Sequence, residues 1–198
     1  MPSCSRFHEQ DKRSGISSGY VTRFENFMRA YRAGIRPLRP RVEAPIARLI
    51  TMTLRESSYW PIRNSRLVEW CHAALLLQEA GFRVVVVRDT ERADEPLPRL
   101  KTAPEASRNL DARASLYRSA ASNLFVSNGP AWFCLALDAP TIILRPATEN
   151  AGTLSSKRAM HERFGLADGL PNAPAHQRLI WAEDTTLNIV AAALGRLK

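Results

Sequence analysis

The sequence predicts an α/β fold with a parallel, doubly wound sheet, and three observations carry that expectation. Apolar strand-length runs alternate with helical patterns from about residue 46 to the end of the chain. One run, Arg83–Arg88 (RVVVVR), is almost wholly valine, as in a strand buried on both faces. Residues 105–146 read as helix, strand, Ser-Asn-Gly-Pro turn, helix and strand, a βαβ unit. Ligands of such units sit at the carboxyl ends of the strands, against a helix N-terminus.

The elements follow in order. Residues 1–18 are polar and Ser/Gly-bearing, which predicts an unstructured start. Tyr20–Ala33 spaces Val21, Phe24, Phe27, Met28 and Tyr31 as one face of a helix. Arg36–Pro45 holds three prolines and reads as an extended linker. These observations set a basic extension, 1–44, ahead of a compact domain, 45–198. Ile46–Leu54 is the first strand, and Glu56–Asn64 a long loop. Ser65 is the expected N-cap of a helix that Gly81 ends. Arg83–Arg88 is the second strand, with Asp89 read as a turn residue after it. Thr90–Glu105 reads as a Pro- and charge-rich connection. A helix around Leu116 and Tyr117, a strand at 123–127, a helix from the glycine turn and a strand at 140–144 complete the βαβ unit. Pro146–Pro174 is irregular apart from a short helix near 158–164. A strand at 178–182 and a helix over 185–197, with Asp184 as its expected cap, close the chain.

The 198 residues carry a net charge of +9, and the first 45 hold nine cations against four acids. Such an arm suits an anionic partner, peripheral contact with a membrane included, or is simply a solvated extension. No nucleic-acid-reading motif accompanies it, so nucleic acid is not an expected partner. No apolar run approaches the roughly 18 residues of a membrane span. The N-terminus lacks the apolar stretch of a secretory signal. Three cysteines, Cys4, Cys71 and Cys134, are widely spaced and support neither a disulfide framework nor a zinc site. The expected location is therefore cytoplasmic, at most peripheral to the inner membrane. Cys71, Cys134 and His72 read as core residues of apolar helices. No Walker A, GxGxxG or HExxH pattern occurs.

Three constellations could carry chemistry. The loop Arg55-Glu56-Ser57-Ser58-Tyr59-Trp60-Pro61-Ile62-Arg63-Asn64-Ser65 brings arginines, a hydroxyl and a helix start to a strand end. Arginine forks match phosphate oxygens, and Trp60 could stack on a base or sugar. The bland alternative is a surface loop with Trp60 in the core. The turn Ser127-Asn128-Gly129-Pro130 offers helix-start amides, and Gly129 admits close backbone approach or a positive φ. The alternative is a helix cap at Asn128. Arg145, Glu149 and Asn150 follow the next strand, as a ligand contact or a loop salt bridge.

These residues resemble the donor-binding half of GT-B glycosyltransferases, in the manner of the heptosyltransferase-like bacterial enzymes. The resemblance lies in A-S-L-Y-R-S-A from Ala114, the N-G-P turn, A-L-D-A-P-T at Ala136–Thr141, the Trp60-Pro61…Arg63 loop and Ile180–Asp184 before the last helix. The family's Asp-Thr-Gly-Leu-x-His turn is altered: Ser127 stands for its Asp, Asn128 for its Thr and Trp132 for its His, while Gly129 is kept.

Over residues 46–197 the resemblance implies a Rossmann-like domain that binds a nucleotide-diphosphate sugar, with no metal or other cofactor. Trp60, Arg63, Asn64, Ser65, Ser127, Asn128, Gly129 and Pro130 would hold the donor. Glu149 and Asn150 would contact ribose or sugar hydroxyls. Arg55 and Arg145 would neutralise the leaving nucleotide, and Glu56, the one acid of the loop, is the candidate base. A GT-B enzyme has two such halves, so a second half, missing here or brought by a partner chain, is expected to supply the acceptor. The alternative is an inactive Rossmann-like module that binds an anionic partner through the basic arm.

Overall fold

The structure, a computed structural model, describes residues 18–34, 46–58, 61–147, 156–166 and 169–197. The chain divides into two compact units, Met1–Ile35 with Ala147–Asn172, and Arg36–Pro146 with Ala173–Lys198.

In the first unit, helix α1 (Ser18–Arg32) packs on a second helix, Lys157–Phe164. Met28 and Tyr31, one turn apart, are buried with Met160 and Leu166. Gly165 ends the second helix at φ +64, a left-handed conformation that costs glycine nothing.

The second unit is a Rossmann-like sheet of six strands, the fold of a single GT-B half. Its elements run β1 (Ile46–Thr53), α2 (Leu67–Glu79), β2 (Arg83–Val87), β3 (Lys101–Thr102), α3 (Pro104–Arg108), α4 (Leu110–Ser119), β4 (Ala120–Val126), α5 (Gly129–Ala136) and β5 (Thr141–Leu144). After α6, the Lys157–Phe164 helix of the first unit, come β6 (Gln177–Ile180) and α7 (Thr186–Ala193). Every pairing is parallel and the strand order is β3-β2-β1-β4-β5-β6. The order reverses between β1 and β4, so the topological switch point lies there.

Strand periodicity sorts the core. Ile50 and Met52 of β1, with Leu54 just after it, face a cluster with Trp70, Ala73, Ala74 and Leu77 of α2 and Ile189 and Ala192 of α7. The alternate residues face the other layer, where the packing is partly polar. Thr51 bonds Asn123, the Thr53 hydroxyl lies 2.8 Å from the Tyr117 hydroxyl, and the Asn123 amide donates to the Tyr117 and Pro140 carbonyls. All five are buried or backbone groups, so each satisfies the hydrogen bonds that burial would otherwise leave open.

Several expectations need correction. Ser65 does not cap α2; its hydroxyl accepts the Arg55 amide, and Arg66 holds the cap position without a side-chain bond. Asp184 does not cap the last helix. Thr185 does, and the Asp184 carboxylate accepts instead from the Arg66 amide and the Trp70 indole. His72 is exposed rather than in the core, because Ala73, Ala74 and Leu77 take the buried face of α2. The stretch after Asp89 contains a 3-10 turn (Thr90–Arg92), β3 and α3, elements too short for periodicity to reveal.

Cys134 and Tyr117 give the unit an alkaline limit. Burial pushes the Cys134 thiol from the ordinary 9.0 up to about 12 and raises the Tyr117 phenol as well. The folded chain then holds protons that the unfolded chain releases. The associated stability is complete below about pH 9 and is lost as pH rises toward 12. Urea melts should show the midpoint falling over that range, with a shallower fall in Cys134→Ala. Iodoacetamide should leave Cys134 unmodified until the chain unfolds.

Candidate functional site

The carboxyl edge around the switch point gathers the sequence-predicted residues of β1, β4 and β5. After β1, the Leu54 amide still bonds the Val87 carbonyl at 2.9 Å, and the loop begins at Arg55. Its neck is closed by two bonds of 2.9 Å: Arg55 N–H to Ser65 Oγ, and Ser65 N–H to the Arg55 carbonyl. Inside the loop the Asn64 amide oxygen accepts from the Ser57 amide and the Arg55 guanidinium, and its nitrogen donates to the Ser57 carbonyl. A 3-10 turn, Pro61–Arg63, forms the far side.

Two neighbouring strand ends hold this loop. On the β2 side the Arg88 guanidinium grips both carboxylate oxygens of Glu56, at 3.0 and 2.5 Å, with side chains only 4% and 9% exposed. This carboxylate, hydrogen-bonded to the guanidinium, raises the Arg88 pKa further. Asp89 is the turn residue expected: one carboxylate oxygen accepts from Thr90 N–H, and the other takes the Glu56 amide at 3.2 Å. On the β4 side Arg63 Nη2 donates to the Ser127 carbonyl at 3.0 Å.

Ser127 therefore receives two arginines. Arg145, at the carboxyl end of β5 and 6% exposed, donates from Nη1 to the Ser127 hydroxyl. Its guanidinium also lies 5.7 Å from the centroid of the Trp181 ring, a cation–π contact. Asn128 caps α5, its side-chain oxygen accepting from the Ala131 amide at 3.0 Å. Pro130 has no N–H to offer. Among the described residues the Gly129 N–H has no partner, which leaves it as the available donor of this first turn.

Gly129 is not a positive-φ residue, and a Cβ built there meets nothing within 4 Å. Neither conformation nor packing of the chain itself requires a glycine at this point, and open space lies beside it. The helix dipole, the Gly129 amide, Arg63 and Arg145 thus converge on one edge, an arrangement suited to an anion.

Of the predicted residues, Arg55, Glu56, Arg63, Asn64, Ser65, Ser127, Asn128, Gly129, Pro130 and Arg145 lie at this edge. Glu56 has both oxygens committed to Arg88. Trp60, Glu149 and Asn150 lie outside the described residues. Reading the sequence missed Arg88 and Trp181. Arg88 had a signal: a charge directly after four buried valines, with an acid at the end of the adjacent strand. Trp181 had none, since only the β5–β6 pairing sets it against Arg145. Among the described residues no cluster of His, Cys, Asp and Glu is arranged to hold a metal.

Solved glycosyltransferase structures are similar to this chain. One is Escherichia coli heptosyltransferase WaaC with ADP, at 16% identity and TM-score 0.50, covering 78% of this chain and 44% of that one. A family 9 glycosyl transferase from Veillonella parvula matches at 12% identity and TM-score 0.48, covering 92% and 45%. The β Kdo 2,4 transferase KpsC of Thermosulfurimonas dismutans matches at 14% and TM-score 0.39, covering 65% and 46%. The chain thus spans less than half the length of each of these structures. No family description matches the sequence, and neither does any curated protein.

Proposed function

We propose that this chain is the donor-binding half of a GT-B type glycosyltransferase. It holds a nucleotide-diphosphate sugar at the β1/β4 switch point, and the sugar passes to an acceptor without a metal ion. The observation that carries this reading is the meeting of Arg63 and Arg145 on Ser127, beside the open Gly129 amide at the start of α5. Two fixed guanidinium groups and a helix N-terminus favour the charge that builds on a departing diphosphate more than they favour the ground state. The fold shared with WaaC, whose structure contains ADP, makes a nucleoside diphosphate the natural first probe.

In this reading Arg63 and the Gly129 amide bind the diphosphate. Arg145 balances the leaving charge, and Arg55, Asn64 and Ser65 keep the loop in shape. Trp60 stacks on the base, and Glu149 or Asn150 takes ribose hydroxyls. Glu56 orders the loop through Arg88 and is not assigned the base. The acceptor and the base come from a second half, in a partner chain or elsewhere in a longer protein.

The test is thermal stability against ADP, UDP, GDP, CMP and their sugars. Ligand at about 100 times its Kd stabilises by about 2.7 kcal/mol. One nucleotide class should shift the melt, and Arg63→Ala should abolish the shift. Gly129→Ala is the sharper variant. Its methyl group meets open space, so unliganded stability should stay within about 0.5 kcal/mol of the parent. The methyl group would instead crowd the diphosphate and remove the ligand shift. An undiminished shift in both variants would place the nucleotide elsewhere. No shift with any nucleotide would remove the reading.

A further inference from the structure

The opposite edge of the sheet differs in charge. At the carboxyl edge, Arg66, Arg88, Arg92 and Arg108 each pair with a carboxylate. At the amino edge the cations of β3, β2, β1 and β4 have no carboxylate partner among the described residues. Arg83 starts β2, Arg48 lies one residue before its register partner Leu49, and Lys101 starts β3 just after Arg99. Arg118 lies in the last turn of α4, two residues ahead of Ala120, which pairs with Ile46 of β1.

These five cations form a row across β3, β2, β1 and β4. At about 4.8 Å per strand the row is roughly 15 Å wide. Four are exposed and Arg118 is half-buried. None pairs with a carboxylate among the described residues. The acid at this end of α2 is Glu79.

Two exposed aliphatic side chains, Ile46 at 44% and Leu76 at 47%, lie at the same edge. The aromatic ring there, Phe82, is half-buried with the Arg48 guanidinium 5.2 Å from its centroid.

We propose that this amino edge docks on an anionic lipid bilayer. A row of unpaired cations matches the negative surface of such a membrane, each worth a similar increment of attraction. Ile46 and Leu76 among them can enter the headgroup layer, where aliphatic side chains gain. A single-stranded nucleic acid is a poorer match, since among the described residues Phe82, the ring at this edge, is half-buried against the Arg48 guanidinium rather than free to stack on bases. Among the described residues no helix is long and apolar enough to cross a membrane, so the contact is peripheral. Docking turns the carboxyl edge away from the lipid. This surface shares no residue with the donor edge or the basic arm, and it does not depend on the donor reading.

The experiment is flotation of the full chain with vesicles of phosphatidylcholine alone or with about a third phosphatidylglycerol. The chain should float with the anionic vesicles, and raising salt from about 0.1 to about 0.5 M should release it. The triple variant Arg83→Gln, Lys101→Gln, Arg118→Gln should weaken vesicle binding roughly 100-fold with an unchanged circular dichroism melt. If the triple variant misfolds, the exposed pair Arg99→Gln, Lys101→Gln replaces it, with an expected loss of at least about 10-fold.

A triple change in the arm, Arg6→Gln, Lys12→Gln, Arg13→Gln, should leave binding within about 3-fold if the sheet edge is the contact. No flotation, or full binding by the sheet-edge variants, would overturn the proposal. So would loss confined to the arm variant, or equal retention of the chain by a single-stranded oligonucleotide that the edge variants abolish.

Discussion

Arg88→Met should lower the unfolding free energy by about 3–5 kcal/mol, the cost of stranding one member of a buried ion pair. The Glu56 carboxylate, 9% exposed, would lose the guanidinium that bonds both its oxygens. Arg88 also bonds the Glu95 carbonyl at 2.9 Å, so the turn after β2 loosens together with the loop after β1. At about 2–4 °C per kcal/mol for a domain of this size, the melting temperature should fall by roughly 10 °C. Replacing both partners, Arg88→Met with Glu56→Met, should recover most of the loss, because an apolar pair pays no desolvation. The cycle is read by urea denaturation of the two single variants and the double. A single-variant cost under about 1 kcal/mol would mean that water already screens the pair and that the loop is held by its neck. The same variants report on the site. If Arg88 sets the pose of the loop that carries Arg63, any nucleotide-induced thermal shift should disappear with it.

Asp184→Ala should cost about 3–4 kcal/mol, the second large effect. One oxygen of this carboxylate, 3% exposed, accepts the Arg66 amide at 2.9 Å and the Trp70 indole N–H at 2.7 Å. Bonds to a charged acceptor contribute about 1.5–3 kcal/mol each, and Trp70, 1% exposed, would be left with a buried donor and no partner. Trp70 sits in the main cluster between α2 and the sheet, so the loss reaches the core and not only a helix end. Asp184→Asn retains an acceptor oxygen and should recover about half of the cost. Guanidinium chloride melts of the three proteins decide it. Equal stability of the Ala and Asn variants would show that the charge, rather than the acceptor, supplies the stabilisation.

The two effects separate what could be read in the sequence from what could not. The parallel sheet was legible because its information is local. Four successive valines, alternating apolar residues in β1 and a strand–turn–helix–strand run each state their own geometry. So was the gathering of the candidate residues, since strands of one direction put Arg55, Ser127 and Arg145 at the same end of the sheet. The Asn128 cap followed from a preference expressed within four residues. Failures came where a local preference met a distant partner. Ser65 and Asp184 both have the chemistry of helix caps, yet each was taken by a group elsewhere, Arg55 ten residues away and Arg66 118 residues away. His72 looked buried because its neighbours are apolar, but the hydrophobic face of α2 is wider than its stripe against the sheet. β3 has two residues, too few to show any period.

By itself, then, the sequence determined the class of fold, the order of elements and the end of the sheet at which the arginines gather. Those follow from periodicity, turn chemistry and chain direction, which short windows contain. Only the tertiary structure decided that Arg63 and Arg145 meet on Ser127, that Arg88 rather than solvent holds Glu56, and that cations line up unpaired across the amino edge. Each of these depends on strand order and register, and parallel pairing is set by long-range packing that no local window encodes.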